Sequence, residues 1–156
     1  MALLCMLAGN AYATKPCTPP SDQWFAEHVT QKSDAVIYAK IISYSNFTDK
    51  TDKAWTKVQV MKLLHSEMMI PPNLTIHSWQ ANLAPWYDYR KGDYVVLWLK
   101  GDARAFTPTD LSWNQCVPSV WRVREDGQVY DLLQNNHWMS LEEVEEMVTY
   151  TANTAH

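Results

Sequence analysis

Glycine is scarce in this chain, with four in 156 residues. That excludes Gly-rich linkers and the Gly-rich loops that cradle phosphates in nucleotide-binding folds. Basic charge is also short. Thirteen Lys and Arg face seventeen Asp and Glu, for a net charge of -4. Nucleic-acid binding depends on clustered Lys and Arg, so no nucleic-acid partner is expected. No apolar run approaches the roughly 20 residues that a helix needs to cross a bilayer, and no transmembrane segment is expected.

The usual marks of catalysis are missing as well. No serine sits in a G-x-S-x-G setting. The five histidines, at 28, 65, 77, 137 and 156, never fall at i, i+2 or i, i+4. His65-Ser66-Glu67 has the H-x-E spacing of zinc deaminases. That zinc site also needs a downstream P-C-x-x-C, and Cys116 is the one cysteine downstream. The acidic residues gather at 142–146, as a solvated helix face, and at Asp49 and Asp52, in a turn. No catalytic residue, metal site or cofactor is therefore expected.

What is present starts with residues 1–13, "MALLCMLAGNAYA". They are uncharged, apolar through Gly9, and end in Ala11-Tyr12-Ala13, the small-x-small pattern of a signal-peptidase site. The stretch reads as a signal peptide, although it lacks the usual basic n-region. Residues 14–156 then form a single globular β-rich domain. Apolar residues make up 47% of the chain and charged residues 19%, enough apolar matter for a packed core. Cleavage after Ala13 would remove Cys5 and leave Cys17 and Cys116. Two cysteines in an oxidising compartment predict a disulfide. A thiolate nucleophile needs a base and a zinc site needs closely spaced ligands, and the sequence supplies neither. The expected location is secreted or periplasmic. Asn46-Phe47-Thr48 and Asn73-Leu74-Thr75 are sequons for a glycosylating host.

Along the mature chain, Ser21 can cap a short helix over 22–32. "DAVIYAKIISYS" is β-branched and aromatic on both faces, which predicts a central strand. One face carries Ala35, Ile37, Ala39 and Ile41; the other carries Val36, Tyr38, Ile42 and Tyr44. "AWTKVQVMKLL" alternates as a half-wet strand, "LTIHSW" is a third strand and "YVVLWLK" a fourth. Residues 101–115 read as a loop. Asp126-Gly127 between "SVWRVRED" and "QVYDLL" signals a hairpin. "SLEEVEEMVTY" predicts a helix over about 140–150, with Ser140 and Glu143 as a capping box. The expected fold is mainly β with two flanking helices (α+β), a small five- to six-stranded antiparallel barrel of OB-like form. The alternative is an open antiparallel sheet.

Cys17 soon after the leader, the "SDAVIYAKI" first strand, the "KGDYVVLWLKG" fourth strand and Cys116 after a tryptophan-containing loop give the chain its resemblance to a family. It resembles netrin-like modules, the OB-fold barrels found in tissue inhibitors of metalloproteinases. The resemblance implies a barrel and an inhibitor-like binding role. The Cys-x-Cys with which those inhibitors chelate zinc is not present, because Cys17 stands alone.

One stretch concentrates contact chemistry. "SWQANLAPWYDYRKG" holds Trp79, Trp86, Tyr87 and Tyr89 beside Arg90. Exposed aromatics stack on sugars or anchor protein partners, and an arginine fixes orientation. The same tryptophans would equally cover one end of a barrel. The sequence favours an exported, non-enzymatic domain that binds a protein partner or a glycan through this segment. The alternatives are a secreted or periplasmic hydrolase or metal-dependent enzyme with a site assembled from scattered residues, and an accessory structural subunit of an envelope or extracellular assembly.

Overall fold

A computed structural model describes residues 29–45, 55–77, 90–102, 104–109, 120–131 and 137–153. Eight strands and one helix lie among them: β1 Ala35–Tyr44, β2 Trp55–Ser66, β3 Asn73–His77, β4 Tyr94–Asp102, β5 Ala105–Pro108, β6 Val120–Val123, β7 Gln128–Asp131, β8 His137–Ser140 and α1 Leu141–Asn153. Strand order is β1-β2-β3-β5-β4, and β4 pairs back onto β1 to close a five-stranded barrel. Strands β6, β7 and β8 extend the sheet outward from β4.

Closure overturns the open-sheet alternative. It also shows that the barrel is not wholly antiparallel. β3 runs parallel to β5, through the pair Ile76 and Phe106. Three register shifts in the β1–β2 ladder, between Val36/Ile37, Tyr38/Ala39 and Ile41/Ser43, bend the pair. Bulges of this kind raise local twist and curl a small sheet onto itself.

Two cores account for the long apolar runs. Inside the barrel, Ala35, Ile37, Ala39 and Ile41 of β1 meet Val95, Leu97 and Leu99 of β4, with Val58, Leu74, Ile76, Phe106 and Val120. Outside it, Val36, Val96, Trp98, Trp121, Val123 and Val129 pack under Val144 and Val148 of α1. β1 and β4 therefore bury both faces, and their sequences lose the apolar–polar alternation of a half-wet strand. The far ends escape: Ile42 of β1 and Lys100 and Asp102 of β4 are exposed. Trp98 and Trp121 are fully buried, with ring centroids 4.9 Å apart. The Trp98 indole N–H donates to the Thr30 hydroxyl at 3.0 Å, which satisfies a polar group that burial would otherwise orphan.

One flanking helix is present among the described residues, where two were expected. The segment read as a first helix, 22–32, lies mostly outside them, and only Val29 and Thr30, at its end, are helical. Helix α1 begins as its capping box requires. The Glu143 N–H donates to Ser140 Oγ at 3.1 Å, and the Ser140 N–H donates to Glu143 Oε2 at 2.6 Å. Lys62 of β2 pairs with Glu145 across the helix–barrel seam. The strand count exceeds five to six because β5 and β8 are four-residue strands, too short to show a period.

Candidate binding cleft

The chain turns sharply into β4. The Asp93 N–H donates to the Arg90 carbonyl at 3.0 Å, and Gly92 takes φ +94°, where a side chain would be strained. This turn is stitched to β1. The Gly92 N–H donates to the Ile41 carbonyl at 2.8 Å, and the Ile41 N–H donates to the Asp93 carbonyl at 2.9 Å. Asp93 Oδ2 also accepts the Arg90 N–H at 2.9 Å. The same oxygen accepts from Arg122 Nη2 at 2.8 Å.

Arg122 reaches Asp93 because β6 lies beside β4, with Tyr94 opposite Val123. β6 then enters a tight hairpin. The Gly127 N–H donates to the Arg124 carbonyl at 2.9 Å, the Arg124 N–H donates to the Gln128 carbonyl at 2.8 Å, and Gly127 takes φ +80°. This is a three-residue hairpin loop with glycine at its left-handed position. Alternation along β6 sends Trp121 and Val123 to the outer core, and Arg122 and Arg124 to the other face. Arg124 pairs with Asp126 at 3.0 Å and lies 4.7 Å from the ring centre of Trp138 on β8.

Between the two turns lies an open cleft of about 680 Å3, lined by Arg90, Asp93, Arg122, Arg124, Glu125 and Asp126 together with Val123. It sits beside the barrel mouth at which β1 and β3 end and β2 and β4 begin. Among the described residues, three guanidinium groups face three carboxylates in this cleft. Its hydrogen bonds hold side chains in place. They fit orientation of a bound group more readily than proton transfer, since Arg stays protonated throughout the physiological range.

Of the contact residues read from sequence, Arg90 lines this cleft. Trp79, Trp86, Tyr87 and Tyr89 lie outside the described residues, as do Cys17 and Cys116. Sequence reasoning missed Asp93, Arg122, Arg124, Glu125 and Asp126 as site residues. Asp126 was legible as a turn residue only. Arg122 and Arg124 carried a usable signal, two cations at i, i+2 within "VWRVR", which places both on one face of a strand.

At the opposite mouth, the Asp34 carboxylate accepts the Gly101 N–H at 2.8 Å and Lys100 Nζ at 3.1 Å. The Gly101 hydrogen bond is the main cause holding its pKa below the ordinary aspartate value; Lys100 adds to it and burial opposes it. His65 and Glu67 stand at the end of β2 and just beyond. Among the described residues, no three His, Cys, Asp or Glu side chains converge as a metal site would require, and no helix is long and apolar enough to cross a membrane. The chain matches no protein-family model and no curated protein.

Proposed function

We propose that this chain is an exported, non-enzymatic binding domain on an OB-type barrel of netrin-like kind, secreted or periplasmic, that engages a protein partner or a glycan. Contact is made by the aromatic segment, Trp79 to Tyr89, together with the cleft that begins at Arg90. The observation that carries this reading is the attachment of that segment. The described residues stop at His77, the end of β3, and resume at Arg90, which lines the cleft. Twelve residues, 78–89, thus connect the end of β3 in sequence to a rim of arginines and carboxylates, polar neighbours that can surround an aromatic anchor. The strand order β1-β2-β3-β5-β4-β1, with β3 parallel to β5, supports the OB-type assignment.

The test pairs binding with stability. Trp86→Ala and Arg90→Ala are compared with wild type in affinity capture from the native exported fraction and on a glycan array. Both variants should lose capture or glycan binding while their denaturant midpoints stay close to wild type. A Trp86→Ala protein destabilised by about 3–5 kcal/mol, the cost of truncating a buried tryptophan, would retire the reading. Intact mass of the exported protein checks the location, with Thr14 expected as the first residue.

A further inference from the structure

Asp126-Gly127 is the single Asp-Gly pair in the sequence, and no Asn-Gly occurs. In such a pair no side chain shields the glycine nitrogen, which can attack the aspartate carboxyl carbon. The N–Cγ bond forms, the nitrogen gives up its proton, and a carboxyl oxygen departs as water. The five-membered succinimide that results then takes up water. Addition at the original main-chain carbonyl leaves the backbone running through Cγ, as isoaspartate, with no net change in mass. We propose that Asp126 is a latent isoaspartate site, guarded in the folded protein by its own hairpin and by Arg124, and converted when that hairpin opens.

Three contacts oppose ring closure. The nucleophile's N–H, on Gly127, donates to the Arg124 carbonyl at 2.9 Å. Asp126 Oδ1 accepts the Gln128 N–H at 3.1 Å, and Oδ2 lies 3.0 Å from Arg124 Nη2. Attack must turn the face of the carboxyl carbon toward the Gly127 nitrogen, which releases both oxygens. It must also rotate the Asp126–Gly127 peptide, which breaks the bond to the Arg124 carbonyl. Arg124 thus holds both reacting groups, the amide through its carbonyl and the carboxylate through its guanidinium. Arg124 is itself held, by the Gln128 carbonyl at 2.8 Å from its N–H and by the Trp138 ring at 4.7 Å from its guanidinium. Asp126 is 49% exposed, so water for the second step reaches it. Conversion adds a carbon to the backbone of a three-residue loop and puts Arg124 out of step with Gln128. The change therefore runs one way, and it alters the rim of the cleft that Arg124 and Asp126 line.

The test ages the full chain, folded and in urea, beside a short peptide spanning Arg124 to Val129, at neutral pH. Isoaspartate is read by methyltransferase labelling and located by peptide mapping. The unfolded chain should convert at Asp126 as fast as the peptide. The folded chain should convert at least about tenfold more slowly, because each event waits for the hairpin to open. Arg124→Gln, at an exposed ion pair, should speed the folded chain by about two- to fivefold. Asp126→Glu should abolish the signal at this site. Hydrogen exchange of the Gly127 amide gives a second reading that needs no variant: across a series of low urea concentrations, conversion should rise in step with exchange. A folded chain that converts as fast as the peptide overturns the proposal. So does an Arg124→Gln protein, folded by circular dichroism, whose rate is unchanged, or conversion that does not follow Gly127 exchange.

Discussion

Asp34 and Gly101 are joined by a hydrogen bond of 2.8 Å from the glycine N–H to the carboxylate, and this bond ties the start of β1 to the end of β4. It is also the chief reason that the Asp34 carboxyl titrates below its ordinary range. A carboxylate with a depressed folded pKa stabilises the fold above its unfolded pKa, near 4, and loses that contribution as pH falls through the folded value. Asp34→Ala should therefore destabilise the protein at neutral pH by about 1–2 kcal/mol, a charged hydrogen bond discounted for partial exposure. The gap between variant and wild type should close in acid, below about pH 4. Denaturant midpoints at pH 7 and pH 2.5 measure it. An unchanged gap in acid would show that the bond does not depend on ionisation.

Gly101 is constrained from a second side. Its φ is +123°, and a Cβ placed on it would stand 2.2 Å from the Ala105 carbonyl oxygen. That oxygen belongs to the backbone of β5 and cannot swing away as a side-chain tip would. Gly101→Ala should cost at least about 2–3 kcal/mol, from strain at a glycine-only φ and from displacement of the hairpin. Gly127→Ala offers the contrast. It shares a positive φ, yet nothing lies within 4 Å of its Cβ position. Its cost should be about 1 kcal/mol, and a thermal-shift series orders the two.

The capping box of α1 was legible from "SLEE" alone, and it makes a quantitative claim. Ser140→Ala should cost about 1 kcal/mol. Glu143→Ala should cost less, and the double variant less than their sum, because each side chain satisfies the other residue's N–H. Additive losses in a double-mutant cycle would mean that the two bonds act independently.

Legibility followed burial. β1 and β4 announced themselves because both faces are packed, so "AVIYAKII" and "YVVLWL" are nearly unbroken apolar runs. α1 showed Val144 and Val148 at a helical interval. β5 was invisible because "AFTP" is four residues long and ends in a proline, a residue usually held to strand ends and edges. β8 was masked by the capping box that follows it. Barrel closure lies in pairings between distant segments, β1 with β4 and β3 with β5, and no local pattern encodes those partners. The cleft was half legible for the same reason. Arg90 ends a conspicuous aromatic segment, but its neighbours Arg122 and Asp126 arrive from a hairpin some thirty residues later, by way of the β4–β6 ladder.

The proposed export carries a redox consequence for Cys17 and Cys116. Removal of residues 1–13 takes Cys5 with it and leaves these two cysteines in an oxidising compartment. Both cysteines lie outside the described residues. A bond between them would close most of the mature chain into a loop, and in the chain-entropy account a loop of that size stabilises by at most about 4–5 kcal/mol. The folded, exported protein should thus show no free thiol. Reduction should lower its unfolding midpoint, and Cys17→Ser and Cys116→Ser should each lower it by a similar amount. The double variant should cost little more than either one, because a single change already breaks the bond. Thiol labelling under denaturing, non-reducing conditions reads the result directly. Two labelled thiols per mature chain would show that the bond does not form.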